Sequence, residues 1–101
     1  MDTKAKVLDI AMNLNRIGNW SADGYSLKKK RIALFLDETS QLIKTVNEVS
    51  LSDRFKKTFK TFQKEYEKLR KELHPYPKDE MAWAETMMTW GNILTHRSVL
   101  I

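Results

Sequence analysis

Between residues 55 and 73 the large apolar side chains fall on a four-three rhythm: Phe55, Phe59, Phe62, Tyr66, Leu69 and Leu73. Nearly everything between them is charged or polar. This spacing gathers six large groups on one stripe of an α-helix and sends the Lys, Arg and Glu side chains to the other side. Such a stripe has to be buried against a second apolar surface. The chain is therefore expected to be built of helices packed on helices.

The rest of the chain continues the pattern. Val7, Ile10, Ala11, Leu14 and Ile17 predict a first helix over residues 3–20, with Asp2 or Thr3 able to cap its start. Ser21-Ala22-Asp23-Gly24 reads as a break with Asp-Gly turn chemistry. A second helix over 26–48, with Ser26 as N-cap, carries Ile32, Phe35, Leu36, Thr39, Leu42, Ile43, Val46 and Val49 inward. The third helix spans 52–74 behind Ser50 or Ser52, and Pro75 and Pro77 stop it. The fourth runs over 78–99, with Asp79 and Glu80 at its positive end. Short connections imply antiparallel neighbours. The expected fold is all-α, an antiparallel up-down-up-down four-helix bundle forming one domain over residues 1–101.

With 101 residues the chain can bury a core without cross-links. It has no cysteine, which excludes disulfides, thiolate metal sites and thiol catalysis. His74 and His96 are the only histidines, too few and too far apart for a zinc or copper site. The three glycines are too scattered for a phosphate loop. No catalytic residue, metal ligand, cofactor or small-molecule substrate is expected, and the chain reads as a non-enzyme. It has no signal peptide and no run of about 18 apolar residues, so no membrane span is expected and a cytoplasmic location is.

The fourth helix differs from the others. Trp83, Ala84, Met87, Met88, Trp90, Gly91 and Leu94 fill an arc of about 160°, wider than the roughly 100° that a surface helix needs. Gly91 costs the helix about 1 kcal/mol against alanine, which close approach of another backbone would explain. The apolar run Val99-Leu100-Ile101 extends the face. These features point to a helical adaptor or accessory protein that binds an unidentified protein partner and self-associates as a dimer. The expected interface is Trp83, Trp90, Ile93, Leu100 and Ile101.

The net charge of +5 is unevenly spread. Residues 50–74 carry eight cations and four anions, and residues 26–49 carry five and three. Lys57, Lys64 and Lys71 repeat at sevens opposite the aromatic stripe, flanked by Lys60 and Lys68, in a row about 21 Å long. Asp53–Lys57, Glu67–Lys71 and Lys68–Glu72 are spaced to pair along the helix. Lys28-Lys29-Lys30-Arg31 places four cations near a helix start, where they oppose the dipole. The alternative function is therefore sequence-nonspecific nucleic-acid binding through Lys28, Lys29, Lys30, Arg31, Lys57, Lys60, Lys64 and Lys71. Membrane binding ranks third, because the basic face has no adjacent exposed apolar face.

Overall fold

The computed structural model describes residues 2–73 and 76–101 and is all-helical among them. Three α-helices are present: α1 (Thr3–Thr45), α2 (Asp53–Lys71) and α3 (Glu80–Arg97). Short 3-10 turns cover Glu48–Ser50 and Ser98–Leu100, and Val49, expected to face inward, lies in the first of them, beyond α1, and is 87% exposed.

The break expected over 21–24 is present but narrower than expected, and it falls at Gly24. Only Gly24 leaves helical geometry, at φ 155° and ψ 94°. Side chains other than glycine rarely adopt that conformation, because their Cβ collides with the neighbouring backbone. A single such residue is enough to redirect the chain, so Ser21 to Asp23 stay helical and Ser26 has no cap to make. A straight 43-residue helix would be about 65 Å long, yet the longest dimension of the molecule is 38 Å. The two arms, residues 3–23 and 25–45, fold back on one another. Lys6 Nζ donates to the Thr45 carbonyl at 2.9 Å, and Asn13 Nδ2 to Glu38 Oε1 at 3.5 Å. Near the break, the rings of Trp20 and Phe35 meet edge to face at 4.8 Å.

The caps are largely those expected from the sequence. The Asp2 carboxylate accepts from Ala5 N at 2.7 Å, and Asp79 accepts from Ala82 N at 3.0 Å. Of the two candidate serines, Ser52 caps α2 by accepting from Phe55 N at 3.2 Å. This satisfies amide groups that have no partner inside the helix. α2 ends at Lys71 rather than at 74, with Glu72 as C-cap. His74 and Pro75 lie outside the described residues, as does the expected stop at Pro75.

The aromatic stripe does what its spacing demands. Phe55, Phe59 and Phe62 are wholly buried, Tyr66 and Leu69 nearly so, and Leu73 is half-buried. They meet Val7, Ile10, Leu14 and Ile17 of the first arm, Ile32 and Leu36 of the second, and Met87 and Leu94 of α3 in one core. At about 25 cal/mol per Å² of apolar surface, three phenylalanines removed from water are a principal source of stability. Tyr66 spans to the second arm, where its hydroxyl donates to the Leu36 carbonyl at 2.8 Å. Arg70 adds hydrogen bonds to Ser40 at 2.8 Å and Asp37 at 3.1 Å.

Candidate functional site

The helices do not pack equally closely. α3 lies mainly against α1 and touches α2 much less. Two glycines set the short approach. A Cβ on Gly18 would meet Met88 Cγ and come within 2.8 Å of the Ala84 carbonyl oxygen. A Cβ on Gly91 would come within 2.9 Å of the Ala11 carbonyl oxygen. Gly18 faces Ala84 and Gly91 faces Ala11, so small residues seven apart on each helix meet in antiparallel register. On the other side of α3, bulky phenylalanines fill the space to α2.

Beyond these rings, at the start of α2, the seam between α2 and α3 is open. A recess of about 430 Å³ lies there. Trp90, Ile93 and Leu100 line its apolar part, and Arg54, Lys57 and Arg97 supply its charge. Trp90 is half-buried, its ring 5.7 Å from that of Phe62. Arg97 is held across the seam by a hydrogen bond from Nη1 to Thr58 Oγ1 at 2.8 Å. The Leu100 carbonyl accepts from the Ser52 hydroxyl, which ties the C-terminal turn to the start of α2. Among the described residues none of the three cations is in an ion pair. The other half of the seam, about 500 Å³, mixes Glu65, Glu72 and Asp79 with Lys68, Lys71 and Lys78, so it lacks one dominant sign.

The expected protein-interface residues separate into two groups. Trp83 is 2% exposed and offers no surface. Its Nε1 donates to the Leu69 carbonyl at 2.9 Å, and its ring meets Tyr25 at 5.9 Å. Trp90, Ile93, Leu100 and Ile101 are half-buried at the edge of the core, and the first three line the recess. The backbone that approaches Gly91 belongs to α1 of the same chain, so this glycine needs no second copy to explain it.

The basic residues also divide. Lys57, Lys60, Lys64 and Lys71 are all exposed on α2, but only Lys57 reaches the apolar recess. The expected Asp53–Lys57, Glu67–Lys71 and Lys68–Glu72 pairs do not form. The ion pairs among the described residues are Lys28–Asp23 at 3.9 Å and Arg70–Asp37 at 3.1 Å. Fixing two long exposed side chains costs about as much as their screened attraction returns. Around the second arm, Lys29 lies over the Tyr76 ring at 5.1 Å and Arg31 over Trp20 at 5.2 Å, while Lys30 is exposed. Arg54 and Arg97 were not among the expected site residues. They flank the α2 stripe and end α3, and only packing shows that they share a recess.

Burial raises the phenol of Tyr66 above its ordinary value, partly opposed by the hydrogen bond with Ser40 and by Arg70. The phenol of Tyr25 is raised by burial and then by Tyr76 and Glu80. Both shifts favour the protonated phenol. His96 is exposed on α3, and His74 lies outside the described residues. No helix among the described residues is long and apolar enough to cross a membrane. Comparison with protein-family models, with curated proteins and with solved structures finds no match.

Proposed function

We propose that this chain is a non-catalytic helical binding protein that captures an acidic, amphipathic segment of a partner protein in the recess between α2 and α3. In this reading the two arms of α1 act as separate rods, and with α2 and α3 they form an antiparallel four-helix bundle. The observation that carries the proposal is the meeting of an apolar floor (Trp90, Ile93 and Leu100) with three unpaired cations (Arg54, Lys57 and Arg97). Apolar contact supplies affinity and charge supplies selection, as at helix-in-groove interfaces. Trp90 is the natural anchor, and Trp90→Ala should weaken binding by about 2 kcal/mol or more.

The test is tryptophan fluorescence titration with a synthetic helical peptide bearing a leucine stripe and glutamates. Binding should weaken as salt rises and be lost in Lys57→Glu, whose side chain is exposed and leaves the core intact. Equal affinity in wild type and Lys57→Glu would refute the proposal. Self-association through the same surface is read by sedimentation of wild type and Trp90→Ala, and two monomers would end it. Binding of nucleic acid along α2 is the second reading, favoured by the absence of ion pairs at Lys57, Lys60, Lys64 and Lys71 among the described residues. It requires steep salt dependence and no contribution from Trp90.

A further inference from the structure

The second arm of α1 carries a surface that the proposed recess does not use. Leu27 is 87% exposed and Leu34 is 64% exposed. They stand seven residues apart, with Lys30 and Arg31 between them at three and four, so all four share one outward face of the helix. Beside this face lies half-buried Trp20, whose ring faces the Arg31 guanidinium at 5.2 Å. Arg16 lies over Phe35 at 6.0 Å on the same side of the hairpin. The neighbouring acids are Asp23, 3.9 Å from Lys28, Asp37, 3.1 Å from Arg70, and Glu38, which accepts from the neutral Asn13 amide at 3.5 Å. The apolar surface missing from the sequence reading of the basic segment is therefore present, and it lies among the cations.

We infer that this face, formed by Leu27, Leu34, Trp20, Lys30, Arg31 and Arg16, seats the protein on an anionic lipid bilayer. Three observations favour a bilayer. Leucines exposed to this degree gain nothing from a polyanion such as RNA, whereas hydrocarbon rewards their insertion. The local depression is lined by the single segment Ser26 to Arg31, so no two elements form a groove for a partner helix. Finally, a tryptophan with an arginine over its ring at the edge of an apolar patch suits the headgroup region, where an apolar ring and a charged tip are both satisfied. The leucines enter the acyl boundary, Trp20 lies at the level of the headgroups, and the cations meet the lipid phosphates and carboxylates. Binding is peripheral and reversible, since two leucines and a few cations supply far less than a spanning helix.

The experiment is co-sedimentation of the full chain with phosphatidylcholine vesicles, with and without phosphatidylserine, at low and high salt. The protein should pellet with the anionic vesicles only and release as salt rises. Lys30→Gln should weaken partition about fivefold, as expected for one cation near an anionic surface. Leu27→Asn with Leu34→Asn should weaken it about tenfold or more, with the circular dichroism spectrum unchanged because both positions are exposed. Failure to pellet with anionic vesicles at low salt overturns the inference. So does a double asparagine variant that binds as well as wild type, which would reduce the attraction to charge alone. Binding of single-stranded RNA through the same cations without vesicle binding also overturns it. None of these results depends on the α2–α3 recess, which Lys57→Glu probes separately.

Discussion

Replacing Gly18 by alanine places a methyl group where α3 already stands. The new Cβ would meet Met88 Cγ and sit 2.8 Å from the Ala84 carbonyl oxygen, with Met88 N at 3.3 Å. The methionine side chain can swing away, but the two backbone atoms move only if α3 moves. An ordinary carbon–oxygen contact is longer by several tenths of an ångström, so the α1–α3 crossing has to open by about that much. Overpacking of this kind costs about 1–3 kcal/mol. Alanine returns about 1 kcal/mol of helix propensity, which leaves a net loss of about 0–2 kcal/mol. Gly91→Ala should lose less. Besides the Ala11 carbonyl oxygen, its close neighbours are Nδ2 and Cγ of the Asn15 side chain, which can rotate aside. In the double variant the second methyl enters a crossing already opened by the first, so the combined loss should be smaller than the two separate losses added. Urea unfolding followed by circular dichroism, with a thermal scan alongside, measures all three. A loss of 1 kcal/mol corresponds to about 4–8 °C in Tm for a domain of this size. If Gly18→Ala were more stable than wild type by the propensity term alone, the close crossing would be wrong.

Gly24→Ala should destabilise the chain by about 1–3 kcal/mol, because its φ of 155° is strained for any side chain; the same urea assay reads it, and a neutral result would mean the hairpin does not need that conformation. Ser21→Ala should be neutral or stabilising, since the buried Ser21 hydroxyl makes no hydrogen bond to any described residue. Stability should be lost in strongly alkaline solution. Because the folded phenols of Tyr66 and Tyr25 titrate above the unfolded value, their contribution is intact below about pH 10 and lost as pH rises toward the folded values. Tyr66→Phe should reduce that alkaline loss while lowering stability at neutral pH by about 1 kcal/mol, through the missing bond to the Leu36 carbonyl. Urea midpoints at neutral pH and near pH 11 would check both.

Periodicity alone was enough to give the all-helical class and the inward face of α2, because a stripe of phenylalanines at four-three spacing has no other economical burial. Local chemistry likewise marked the segment Ser21 to Gly24 as a break, though not that Gly24 alone makes it, and Gly91 as a place of close approach. Both follow from what a missing Cβ permits, which depends on the residue itself. What only packing decided is which backbone comes near Gly91, that Trp83 is sealed inside while Trp90 reaches an edge, and that Arg54, Lys57 and Arg97 converge from two helices. The exposure of Leu27 and Leu34 belongs there too. Helical spacing says which residues share a face, but whether that face meets water or another helix depends on how the arms of α1 fold about Gly24, through contacts between residues far apart in the chain.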